Sequence, residues 1–277
     1  MRLAPRYDGP VVLAIDDDPG SQLLPVTRQR QRFQGMLAGL SDDQWGQASR
    51  CEGWTVRDVV AHLVSVNEFW HASVEAGLVG EPTRMLAGFD PAATPPLLVD
   101  VMSSLSPLEV LDRFVSTNDT LLGALSALTN DEWSMLAESP AGHVPIRLLA
   151  QHALWDSWVH ERDVAIPLAI TPGVEPDEVR SCLRYAAVVS PVLGLGLGRA
   201  RAGVLAVEAT DPASRFVLEV GDCVSLRDES FDRDAPCLRG DAVEMTEAVS
   251  LRIPMSPSAP IEWSRLLGGL EAAFDAG

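Results

Sequence analysis

Asp156 and His160 stand four residues apart in Leu154-Trp-Asp156-Ser-Trp-Val-His160, within a stretch whose pattern predicts a helix. Residues at that spacing share one helical face, so a carboxylate and an imidazole can grip one ion together. His62, in Trp54-Thr-Val-Arg-Asp-Val-Val-Ala-His62-Leu, lies on another predicted helix and is the natural third ligand. Three protein ligands leave a coordination position open, as in catalytic rather than structural zinc sites. The same spacing also suits a buried Asp–His hydrogen bond with no ion, and on spacing alone both readings stand. His152, one turn before Asp156, reads as a spare ligand or an outer donor to the site. His71 and His143 read as surface or loop residues.

The helix opened by Pro145 presents Ile146, Leu149, Ala153, Asp156 and His160 along its inward stripe. An acid and an imidazole occupy places where a helical bundle wants apolar side chains. A buried carboxylate costs several kcal/mol or more unless paired or metal-bound, so such a break in pattern marks a candidate site. Glu161, Arg162 and Asp163 read as a solvated helix end, and Trp54, Trp70, Trp155 and Trp158 as core around the two ligand-bearing helices. The four cysteines show no Cys-x-x-Cys spacing and read as free thiols, with Cys51 beside the start of the His62 helix.

A formal net charge of -18 repels nucleic acid unless a local basic patch exists. Arg28, Arg30 and Arg32 come nearest to one, but their spacing scatters them around a helix, which predicts a solvated surface. The chain has no lysine, which excludes a Schiff-base lysine, a pyridoxal-phosphate anchor and a Walker lysine. No apolar run approaches the roughly 20 residues that span a bilayer. The run Val11–Ile15 leads into Asp16–Asp18 and lacks a secretory pattern, so a cytoplasmic protein with no nucleic-acid or membrane partner is expected.

These residues must be positioned by helices. Residues 24–40 carry a helical stripe, Ser41 with Gln44 forms a capping box, Thr55 with Asp58 opens the His62 helix, and Ser106-Pro107 opens another. Four long amphipathic helices predict an antiparallel bundle over 23–170, after an N-terminal extension at 1–22. Beyond residue 171 comes one more helix over 174–192. The glycines of Gly194-Leu-Gly196-Leu-Gly198 then predict a flexible turn. Strands at 205–208, 215–220 and 224–227 and helices at 241–251 and 262–274 complete a small α/β domain over 171–277. The fold class is α+β.

Ser49-Arg-Cys51-Glu-Gly53-Trp54 through His62-Leu closely resembles the N-terminal motif of mycothiol-dependent maleylpyruvate isomerase-like proteins, members of the DinB-like metalloenzyme superfamily. The block from Pro145 to Pro167, with Trp-Asp-x-Trp-Val-His-Glu-Arg-Asp, resembles that family's second signature, and Arg28–Arg32 ahead of Trp45 fits as well. The resemblance covers residues 20–170 and implies a DinB-like four-helix bundle holding a divalent metal, commonly zinc, on His62, Asp156 and His160. Asp156 stands where the family's characterised isomerase has glutamate, and its shorter arm alters the ligand distance. Residues 200–275 are similar to a sterol-carrier-like domain, and Arg252 matches the arginine that the isomerase uses there, implying a role in holding an anionic thiol or substrate. The implied activity is activation of mycothiol for attack on a small electrophile, giving cis–trans isomerisation, S-conjugation or thiol exchange. A metal-dependent hydrolase without thiol and a non-catalytic, metal-stabilised binding bundle are the rival readings. A monomer or a homodimer is expected.

Overall fold

Local sequence rules set the helix starts of this computed structural model, which describes residues 2–18, 20–198, 202–231, 236–255, 260, 261, 268, 270, 271 and 273. A short strand, β1 (Leu13–Ile15), precedes α1 (Leu23–Ala38) and the single turn α2 (Asp42–Trp45). Helix α3 (Val56–Leu78) begins at a reciprocal cap: Thr55 Oγ1 accepts from the Asp58 amide, and Asp58 accepts from the Thr55 amide at 3.0 Å. The short α4 (Thr94–Val101) leads to α5 (Pro107–Ser126), which starts at the same device between Ser106 and Glu109. A hairpin of β2 (Leu136–Ser139) and β3 (Gly142–Pro145) then feeds α6 (Ile146–Ala165), which carries Asp156 and His160.

Helices α1, α6, α3 and α5 pack in a ring, each against the next. The predicted four-helix bundle is present. Phe33 and Phe114 meet edge to face at 5.8 Å inside it, among Val59, Leu63 and Val164. Two features escaped the sequence reading here. One is the hairpin, whose Gly142 has φ +113 and lies so close to the Arg6 carbonyl that a side chain has no room. The other is the burial of α6 on nearly all sides.

That burial comes from the rest of the chain. Helix α7 (Pro176–Gly196) packs on α6 and against a five-stranded sheet of order β1-β6-β5-β4-β7. Its strands β4 (Gly203–Thr210), β5 (Ala213–Val220) and β6 (Val224–Arg227) form an antiparallel meander. Strand β7 (Cys237–Gly240), unforeseen from sequence, runs parallel to β4, and α8 (Ala242–Val249) lies against β4 and α7. The segment read as an N-terminal extension supplies β1, parallel to β6. The glycine-rich stretch expected to be a turn continues α7 as far as Gly196. One apolar cluster runs from Trp70 through Leu154 and Trp158 of α6 and Val188 of α7 to Phe216 and Leu218 of the sheet. The last expected helix, at 262–274, falls largely outside the described residues. No helix among those described is long and apolar enough to cross a membrane.

Candidate active site

Helices α3 and α6 run antiparallel, and their facing side chains set the site. The rings of His62 and His160 meet at 5.1 Å between centroids, and two turns further along Trp70 and His152 meet at 4.7 Å. Asp156 lies between those levels on α6. Ligand atoms of His62, Asp156 and His160 all fall within 4.8 Å of one another. The gap from His160 Nε2 to Asp156 Oδ1 is 3.7 Å, too long for a hydrogen bond. It is near the ~3.4 Å expected between two donors that each sit about 2.1 Å from a tetrahedral ion. Asp156 Oδ2 is buried and has no hydrogen-bond partner. A partnerless buried carboxylate oxygen beside two imidazoles fits a divalent cation.

Protonation of the two imidazoles is set by their surroundings. Burial, and then the charge of His160, holds His62 down to about 4, so it is neutral and has a free lone pair. Burial opposes charge on His160 too. The hydrogen bonds to Asp163 and Cys51 and the nearby Asp156 outweigh it, raising His160 to about 10. His160 Nδ1 donates to Asp163 Oδ2 at 3.0 Å, which turns Nε2 toward Asp156 and His62.

Asp163 is fully buried. Arg50 Nε donates to its Oδ1 at 3.1 Å, Arg252 Nε donates to both oxygens at 2.9 and 3.0 Å, and the Cys51 thiol to Oδ2 at 3.3 Å. Burial raises Asp163, but His160 and Arg252 together hold it well below the usual carboxylate range. The expectation of a solvated helix end at Glu161–Asp163 is therefore wrong. Arg162 Nε donates to Glu247 Oε1 at 2.7 Å, and Glu161 accepts from Arg32 at 2.8 Å and from Gln29 at 3.0 Å. Cys51, His160 and Asp163 form a second cluster of metal-ligating types. Its atoms are already hydrogen-bonded and two guanidinium groups flank Asp163, so a cation is repelled there.

The Cys51–Trp54 turn closes one side. Gly53 takes φ +76, which a side chain would strain. The Trp54 amide donates to the Cys51 carbonyl at 3.0 Å, and the Arg50 amide donates to the Asp163 carbonyl at 3.0 Å. Trp54 is partly exposed, its ring 5.3 Å from that of His62. Trp70, Trp155 and Trp158 are core, as expected. Arg252 lies just beyond α8 rather than within a helix, its side chain one-quarter exposed and its NH2 group 4.0 Å from Cys51 Sγ. His152 is in neither cluster; its Nδ1 pairs with the Tyr185 hydroxyl at 2.7 Å. His143, on β3, bonds the Thr83 carbonyl at 2.9 Å through Nε2, and His71 stays at the surface of α3.

The expected solvated arginine face is also overturned. Arg30 is completely buried, with NH1 donating to Asn67 at 2.6 Å and Asn118 at 2.7 Å, and NH2 to the Ala153 carbonyl at 3.0 Å. Burial pulls its pKa down to about 10, against the charge of Asp156, so it keeps its proton at neutral pH. Arg32 bridges Glu161 and Glu178, and Arg28 pairs with Asp177 and Glu178. Sequence reading missed Asp163, Arg50 and the weight of Cys51. The three-residue step from His160 to Asp163, which shares a helical face, is the one signal that pointed there.

A helical bundle with a two-histidine, one-carboxylate cluster, packed against a helix-backed sheet, defines the class of protein. Residues 26–165 match the family described as the mycothiol maleylpyruvate isomerase N-terminal domain, and the chain belongs to that family. Its fold is similar to crystal structures of the mycothiol-dependent maleylpyruvate isomerase and of a histidine-to-alanine mutant of it. The TM-scores are 0.64 and 0.63, each at 16% identity over 88% of this chain and 97% of the other. A search of curated proteins gave no significant match.

Proposed function

We propose that this chain is a divalent-metal- and mycothiol-dependent enzyme that isomerises a small unsaturated acid of the maleylpyruvate kind. The observation that carries the reading is the convergence of His62, Asp156 and His160 within 4.8 Å around a partnerless Asp156 oxygen. Two nitrogens and one carboxylate with an open fourth position suit zinc. A divalent ion on these three residues would supply thiolate at neutral pH, where a free thiol of pKa near 8.5 is mostly protonated.

The chain's own groups do the rest. Asp163 fixes the His160 tautomer and is itself fixed by Arg50 and Arg252. Arg252 keeps its NH2 end toward the partly exposed Cys51 side and offers a donor to an anionic thiol or acid. Trp54 stands against the His62 ring, 5.3 Å between centroids, on that side of the site. Family membership and the fold neighbours support thiol dependence.

The test is turnover of maleylpyruvate by zinc-loaded protein with and without added mycothiol. Isomerisation that requires the thiol and drops at least a hundredfold in Arg252→Met supports the proposal. Hydrolytic turnover indifferent to thiol would replace it with a metal hydrolase.

A further inference from the structure

Three aromatic side chains surround His152 one helical turn from Asp156. Trp70 stands against it at 4.7 Å between ring centroids, Tyr185 at 5.1 Å and Trp155 at 5.3 Å. Spacing on α6 puts His152 about 6 Å along the helix axis from Asp156, on the same face. The pairing of Trp70 with His152 and of His62 with His160 places this nest in the same α3–α6 interface as the three candidate ligands. His152 is only 7% exposed, and its Nδ1 is committed to Tyr185. Nε2 makes no hydrogen bond among the described residues. Trp70 Nε1, in the same nest, is buried and partnerless.

The Tyr185 hydroxyl meets no other acceptor among the described residues, so the arrangement that satisfies both groups has Tyr185 donating to Nδ1. The proton of the neutral ring then resides on Nε2. Burial lowers His152 to about 4, which keeps the ring neutral. This Nε2–H has no protein acceptor among the described residues and, unlike the sealed Trp70 Nε1, is not closed off, so it can donate to a ligand oxygen.

We infer that His152 is a further catalytic residue, its Nε2–H donating to the carbonyl oxygen conjugated with the alkene of the bound acid, with Tyr185 as its positioning residue. This rests on the isomerase reading above. When the C–S bond forms at the alkene, the π pair moves through the conjugated system onto that oxygen. The former double bond becomes single and rotates. The pair then returns, C=C re-forms, and the C–S bond breaks to release thiolate. No net proton is transferred, so a neutral donor that keeps its proton suits the step.

The experiment pairs turnover with a binding signal. In zinc-loaded wild type, the His152 Nε2–H resonance is followed by NMR while maleate is added. Kinetics are measured for His152→Leu, His152→Gln and Tyr185→Phe. Expected are a shift of the resonance on maleate binding, a ~100-fold loss of kcat in His152→Leu with zinc content unchanged, partial rescue by His152→Gln, and about a tenfold loss in Tyr185→Phe. Folding failure of His152→Leu leaves the decision to Tyr185→Phe and the resonance. Full activity in either Tyr185→Phe or His152→Leu, or bound maleate with an unmoved resonance, overturns the inference. A wild type that binds maleate with the shift but shows no thiol-dependent turnover keeps the donor and removes the isomerase reading. A wild type with neither binding nor turnover removes both.

Discussion

At the scale of residues, the behaviour of the site turns on which imidazoles carry protons. Between about pH 6.5 and 4 the unfolded chain takes up protons on His62 and His152 that the folded chain refuses, because both are held down to about 4. Each such proton contributes about 1.4 kcal/mol per pH unit, so metal-free stability falls on acidification through that window. His160 behaves oppositely. Its folded value is raised to about 10, so its contribution is complete below 6.5 and is lost as pH rises toward 10. Thermal unfolding of metal-free protein should therefore be most resistant near pH 6.5. An ion held as proposed would displace the proton from His160 Nε2, so calorimetry in buffers of different ionisation enthalpy at pH 7.5 should find about one proton released per zinc bound. A value near zero would show that His160 is not a ligand. Asp163→Asn keeps the shape but loses the charge that orients His160, and zinc affinity by competition with a chelator should fall ~10–100-fold. His160 and Asp156 were legible because a four-residue step on an inward stripe is a local signal. Arg30 was not, since its acceptors Asn67, Asn118 and Ala153 come from other helices and nothing around position 30 announces them.

Among the elements, α6 does most to position the site, and what it packs against explains what sequence could show. The caps at Thr55 and Ser106 are decided within four residues, so the starts of α3 and α5 were readable. The hairpin before α6 was not, for its strands have four residues each and depend on partners far away. Glu138 of β2 is fully buried. One carboxylate oxygen accepts from the Tyr7 hydroxyl at 2.6 Å and the Leu86 amide at 2.7 Å, and the other from Thr83 Oγ1 at 2.6 Å and the Met85 amide at 2.8 Å. This one side chain ties the N-terminal segment and the 83–86 loop to the hairpin. Glu138→Ala leaves those donors buried without acceptors, and urea unfolding should show a loss of about 3–5 kcal/mol. A loss under 1 kcal/mol would mean that the clamp is dispensable.

For the whole molecule, one apolar cluster joins the bundle to the sheet, and the charges of Arg162 and Asp163 at the end of α6 are satisfied across that junction. Arg162 and Arg50 meet Glu247 of α8, Arg252 meets Asp163, and Trp155 Nε1 donates to Ser250 at 2.9 Å. Those contacts explain why Arg162 and Asp163 looked solvated, since Glu247 and Arg252 arrive more than 80 residues later, while Glu161 is covered by Gln29 and Arg32 from far earlier in the chain. The same reasoning makes residues 23–170 a poor fragment, since without α7 and α8 the back of α6 exposes Leu154 and Trp158. Expressed alone, that fragment should aggregate or bind a hydrophobic dye, and a monomeric, cooperatively unfolding fragment would contradict the shared cluster.

The most direct measurement is the metal content of untagged protein beside His62→Ala and His160→Ala. The account predicts about one divalent ion per wild-type chain, absent from both variants, and a thermal stabilisation by added zinc that grows from pH 6 to pH 8. A wild type that takes up no ion and gains no stability from any divalent metal, with both variants folded, would contradict it.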